Sequence, residues 1–106
     1  MPSRLRTAGV LLALLCAGRA GGESGEQLAG VATVIDGDTI EIHGRRIRFH
    51  GIDAPEASQT CSRAGAPWPC GRRAAQALAA YLDDRTVACI AEKIDRYGRI
   101  DARCSV

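Results

Sequence analysis

The sequence predicts a mainly β domain with a single helix, and three observations carry that prediction. Strand-like alternation recurs between Val31 and Ile52, broken by two turn signals. An alanine-rich stretch from Gly71 to Leu82 repeats apolar residues at four-residue spacing. A second strand-like region then runs from Thr86 to Val106.

Each element has a local reason. From Leu28 the chain turns strand-like: Val31, Thr33 and Ile35 alternate with smaller residues up to the tight-turn signal Asp36-Gly37. Thr39 to Ile42 gives a second short strand, and the turn signal His43-Gly44 leads into a third, Arg45 to Ile52. There Ile47 and Phe49 face one way and Arg46, Arg48 and His50 the other, so Arg48 points away from the expected core. Ala54 to Pro69 reads as irregular and holds the only tryptophan, Trp68, expected to lie as a lid over the barrel. The helix over Gly71 to Leu82 presents Ala74, Leu78 and Leu82 on one stripe. Thr86 to Ala91 is a fourth strand, Asp95 to Gly98 a turn, and Arg99 to Val106 a fifth strand. Meander, helix, then hairpin is the order of elements in an OB-fold, a five-stranded Greek-key barrel.

The chain begins with a different kind of segment. Arg4 and Arg6 precede an apolar run from Ala8 to Ala17, and Gly18-Arg19-Ala20 supplies small residues for cleavage. That layout is a secretory signal peptide over residues 1–20, its apolar run too short to span a bilayer easily. Residues 21–27 read as a flexible lead-in and residues 28–106 as the domain. Cleavage after Ala20 removes three of the fourteen Arg and Lys, leaving eleven against twelve Asp and Glu. The formal charge moves from +2 to −1, so a globally basic nucleic-acid binder is not indicated and polyanion binding must come from a local cluster. The part after the leader keeps Cys61, Cys70, Cys89 and Cys104. An even count behind a signal peptide reads as two disulfides with three possible pairings, of which Cys61–Cys70 and Cys89–Cys104 are favoured. A zinc site is the competing reading, without a Cys-x-x-Cys to support it.

Chemistry concentrates at the ends of the predicted hairpin. Antiparallel pairing around His43 to Arg45 sets Asp38 nearly opposite His50 or Gly51, with Asp53 just beyond, so two carboxylates converge. Pro55 keeps Ala54 extended and leaves its carbonyl free to point into the same space. Two carboxylates, a carbonyl and waters suit Ca²⁺. The plainer alternative is that Asp36-Gly37-Asp38 only makes a turn and Asp53 only caps a loop. Asp36 reads as support for the site, His50 as surface or strand packing, His43 as solvated, and Arg72-Arg73 as a nucleic-acid contact or, equally, an exposed helix face.

Asp36-Gly37-Asp38-Thr39, Arg48 five residues before Asp53, Asp53-Ala54-Pro55-Glu56, and Asp95-Arg96-Tyr97-Gly98-Arg99 occur in one order in one chain. Together, over Val31 to Val106, they resemble the thermonuclease (staphylococcal nuclease-like) family. The resemblance implies a secreted or periplasmic Ca²⁺-dependent endonuclease hydrolysing phosphodiesters of DNA and RNA, with single strands preferred. It implies Asp38 and Asp53 as metal carboxylates and Ala54 as a backbone-carbonyl ligand, where Thr is usual. It further implies Glu56 as the residue that activates the attacking water, Arg48 and Arg99 as the phosphate-gripping arginines, and Arg96 and Tyr97 at the nucleotide-binding edge. A monomer without stable membrane association after leader removal is expected. Members of the family usually continue with further helices, so the resemblance also implies a C-terminally shortened barrel. The reading from another class is a non-catalytic OB-fold module that binds nucleic acid or another anion, or an inactive fragment.

Overall fold

Thirteen residues of helix and eight short strands make up the described part of the chain. The computed structural model describes residues 25–106; the leader over residues 1–20 lies outside them. The strands are β1 (Gln27–Val31), β2 (Thr33–Asp36), β3 (Thr39–Ile42), β4 (Arg45–Phe49), β5 (Cys61–Arg63), β6 (Ala66–Trp68), β7 (Thr86–Ile94) and β8 (Ile100–Ser105), with helix α1 (Cys70–Leu82) between β6 and β7. Six strands form one sheet in the order β1-β7-β8-β4-β3-β2, and β5 and β6 pair separately.

The sheet is curled, and its topology shows how. Its first and last strands, β1 and β2, are consecutive in the chain and separated only by Ala32. One stretch of chain therefore pairs with β7 along its first half and with β3 along its second. All pairs are antiparallel except β4 with β8, which run parallel from Ile47↔Ile100 to Phe49↔Ala102. This is a mainly β fold with a single helix, consistent with an OB-like architecture. The five strands expected become six in the main sheet because Ala32 interrupts the first.

Alternation builds the core as the sequence suggested. Ile40, Ile42, Ile47, Val87, Cys89, Ala91, Ile100 and Ala102 point inward from β3, β4, β7 and β8, joined by Leu82 at the end of α1. A fully buried Ile or Val contributes about 1.5–3 kcal/mol relative to exposure, so these few side chains carry much of the stability of a small domain. The two disulfides are Cys61–Cys70 and Cys89–Cys104. Cys89 and Cys104 sit directly opposite in the β7–β8 register and close a loop across a sequence separation of 15, worth roughly 3 kcal/mol in the chain-entropy account.

Four local departures from the sequence reading have physical causes. The β3–β4 turn is the two-residue His43-Gly44, both at positive φ (50° and 78°), and not the three-residue turn over His43 to Arg45 that would set Asp38 opposite His50 or Gly51. That shortens the offset by one residue, so the Asp38 carbonyl accepts the Phe49 N–H and Thr39 lies opposite Arg48. β4 stops at Phe49 because Gly51 turns the chain at φ 77°, just after the His50 N–H makes a last bond to the Ala102 carbonyl of β8. The stretch read as irregular contains the β5–β6 hairpin, turned at Ala64-Gly65 with φ 53° and 82°. Three-residue strands with a proline in one of them leave little periodic signal; the Cys61–Cys70 bond beside the hairpin supplies what pairing alone lacks. Trp68 belongs to this hairpin, with the Arg63 guanidinium 4.8 Å over its ring; it is not among the side chains packed against the core, so it does not lie as a lid over the barrel.

Candidate active site

The site forms where the β2–β3 turn, the segment after β4 and the N-terminal end of α1 meet. Gly37 marks the junction. A Cβ there would sit 2.9 Å from the Ala74 Cβ of α1 and 3.0 Å from the Ala54 Cβ, so the turn fits only with a glycine. The β2–β3 register shifts between Val34 and Asp36, and such an irregularity re-aims the side chains after it. Asp36 Oδ1 then accepts the Ala57 N–H at 2.7 Å, and Asp38 Oδ2 accepts the Ala54 N–H at 2.9 Å. Two aspartates of one turn thus fasten the Asp53-to-Gln59 segment from one side.

The helix end fastens it from the other. Gln59 N–H donates to the Glu56 carbonyl at 2.8 Å, the Gln59 side-chain oxygen accepts the Glu56 N–H at 3.3 Å, and Gly71 N–H donates to the Gln59 carbonyl at 3.1 Å. Gly71 lies so close that a Cβ would fall 1.7 Å from the Glu56 carbonyl oxygen. Gln59, Gly71 and Gly37 went unread as site-building residues. A Gly-Asp or Cys-Gly dipeptide gives no sign of which backbone it will touch.

Arg48 bridges the two carboxylates expected to converge. Its Nη2 lies 3.7 Å from Asp38 Oδ2 and 3.3 Å from Asp53 Oδ1. Asp38 is buried, with 8% of its side chain exposed, and its Oδ1 accepts the Thr39 hydroxyl at 2.8 Å; Asp53 is 92% exposed. The two groups that meet the guanidinium are carboxylates, which are hard oxygen donors. The donor set therefore fits an ion of the Ca²⁺ type in chemistry. Among the described residues no group of three or more His, Cys, Asp or Glu side chains forms a metal centre, so an ion here would lean on two carboxylates, backbone and water. Ala54 is seen through its N–H, which Asp38 accepts.

Glu56, Tyr97 and Arg99 come together along an open cleft of about 630 Å³, whose other walls are Gly44, Arg46 and Gly98. Arg99 is held by its own turn. Its Nε donates to Asp95 Oδ2 at 2.8 Å, its N–H donates to Asp95 Oδ1 at 2.9 Å, and the Tyr97 ring lies 5.7 Å from its guanidinium. Arg96 stands outside that wall, 6.0 Å from the same ring. His50 is not free: its Nδ1 lies 2.7 Å from Asp101 Oδ1 on the neighbouring strand.

Partial burial of Asp95 works to raise its pKa. Hydrogen bonds from the Arg99 backbone and side chain and from the Tyr97 N–H, with the nearby positive charge, outweigh it and hold the carboxyl below its ordinary value. A depressed folded-state pKa means the contribution is complete above the unfolded-state value and is lost as pH falls through the folded one. Wild type and Asp95→Asn are therefore expected to differ in stability at neutral pH and to converge in strong acid. Denaturant titrations showing a constant gap at both ends would rule this out.

A turn-held pair of aspartates, an arginine between two carboxylates, and a cleft lined by Glu56 and Arg99 define a nuclease-like domain. Residues 46–106 match the family described as Staphylococcal nuclease homologue, and the chain belongs to it. That family in general hydrolyses phosphodiester bonds and depends on Ca²⁺. The chain is also 44% identical over 101 residues, 93% of its length, to the succinoglycan biosynthesis protein ExoI of Rhizobium meliloti (strain 1021). It spans about half, 52%, of that relative's length. Among the described residues no helix is long and apolar enough to cross a membrane.

Proposed function

We propose that this chain is a Ca²⁺-dependent endonuclease hydrolysing phosphodiester bonds of DNA and RNA, preferring single strands and acting as a monomer outside the cytoplasm. The observation that carries the reading is the Arg48 bridge between Asp38 and Asp53, on the same strand β4 whose Arg46 lines the cleft of Glu56 and Arg99. Two disulfides suit an oxidising compartment, in keeping with the leader read over residues 1–20.

Each residue has a task that its chemistry suits. Arg48 and Arg99 offer planar forks to the nonbridging oxygens, where negative charge accumulates in the transition state. Lysine at either position would keep the charge but lose the fork. Glu56 takes the proton of the attacking water and needs only hydrogen-bond reach to do so. Asp38, Asp53 and the Ala54 carbonyl would hold Ca²⁺, which when bound supplies positive charge that polarises water and offsets the phosphate. Arg96 and Tyr97 meet the substrate edge, a cation and a phenol beside a phosphate. Asp95 keeps Arg99 aimed through the contacts described above.

Incubating the oxidised protein with single-stranded DNA, with Ca²⁺ and then with a chelator, tests this directly. Cleavage is expected with Ca²⁺ and is expected to vanish on chelation. A folded protein that binds DNA but leaves it uncut would overturn the enzyme and favour a non-catalytic binding module.

A further inference from the structure

Arg46 belongs to neither the arginine pair of the family resemblance nor the carboxylate bridge, yet it lines the cleft with Glu56 and Arg99. It precedes Arg48 by two residues on β4, and buried Ile47 between them fixes both on the outward face. Gly44 at the cleft mouth, with nothing within 4 Å of an added Cβ, leaves the space beside it open.

The state of the three guanidinium groups separates their roles. Arg48 spans Asp38 and Asp53, and Arg99 is clasped by Asp95. Arg46 has only Glu41, its opposite number in the β3–β4 register, at 3.7 Å from its Nε. Both side chains are well exposed, 53% and 38%, and an ion pair of that kind contributes little. Its two terminal nitrogens have no partner among the described residues. With Arg48 and Arg99 each engaged by carboxylates and assigned to the scissile phosphate, a third cation in the same cleft is available to the next phosphate of the chain.

We infer that Arg46 binds a second phosphate of the substrate, next to the scissile one, so that the cleft is built for a polynucleotide chain. The inference deepens the nuclease reading and rests on it for the identity of the ligand. Its test reads binding alone, in the Glu56→Gln background, with a fluorescent 12-nucleotide single-stranded DNA and Ca²⁺ over a range of salt. Arg46→Ala is expected to weaken affinity about tenfold, the scale of a charge-assisted hydrogen bond, and to lower the slope of log K against log salt by about 0.7. Arg46→Lys is expected to restore the slope but only part of the affinity. Arg45→Ala is the matched control: it removes the same charge from the adjacent residue, which pairs with Glu26 at 3.2 Å, and should leave the slope unchanged.

An unchanged slope in Arg46→Ala, or the same loss in Arg45→Ala, would overturn the inference. If the wild type binds DNA but does not cut it, the nuclease reading fails while the Arg46 slope still decides this one. A protein that does not bind the DNA at all overturns both.

Discussion

Replacing Glu56 with glutamine is expected to lower cleavage of single-stranded DNA by roughly 10²–10⁴-fold, the usual contribution of a positioned general base. The substitution keeps the size of the side chain and removes its ability to take a proton. Stability should stay within about 0.5 kcal/mol of wild type, as for exposed positions free of packing or pairing. The loop is held through the Glu56 backbone, and no hydrogen bond or ion pair among the described residues uses its carboxylate. Rate and thermal midpoint should therefore separate: activity falls while the melting curve stays in place. A variant that retained cleavage within tenfold of wild type would remove Glu56 from the chemistry.

Gly71→Ala is expected to damage both at once. The new methyl would lie 1.7 Å from the Glu56 carbonyl oxygen, 2.7 Å from its carbonyl carbon and 3.0 Å from the Ala57 carbonyl carbon. These are backbone atoms, so relief requires the loop or the start of α1 to move. Forced overpacking typically costs about 1–3 kcal/mol, a large share of the stability of a domain this size. Moving the Glu56 loop by about an ångström is enough to cost on the order of 100-fold in rate. Urea unfolding and single-turnover cleavage should both change, whereas Ala80→Gly on the exposed part of α1 should lose about 1 kcal/mol and keep its rate. Wild-type stability and rate in Gly71→Ala would show that the helix start does not position the loop.

These two residues also show what a sequence can say. Glu56 stood out because it follows Asp53-Ala54-Pro55 in a recurring motif, and motifs record residue types that chemistry requires. Gly71 did not, because its importance lies in a backbone contact across fifteen residues of chain. The strands of the main sheet were legible from alternation, since inward Ile40, Ile42 and Ile47 must recur every second position. The β5–β6 hairpin was not: three-residue strands carry too few repeats to show a period, and one contains Pro67. Arg48 was legible as outward-facing, but its place between Asp38 and Asp53 depended on the two-residue β3–β4 turn and the loop after Gly51. Arg46 looked like any other arginine on a solvated strand face until the cleft was seen.

The sequence by itself determined the alternation that makes a curled sheet, the single helix, the family, and the carboxylates and arginines available for chemistry. Those follow from local periodicity and from residue types at short spacing. Only the tertiary structure decided how they meet. It set Asp36 and Asp38 against the loop amides, pressed Gly71 onto Glu56, clasped Arg99 with Asp95 and left Arg46 in the cleft with only an exposed pairing to Glu41. Contacts of that kind join segments far apart in the chain, and their ångström-scale fit depends on registers, turn lengths and close approaches that no short stretch of sequence encodes.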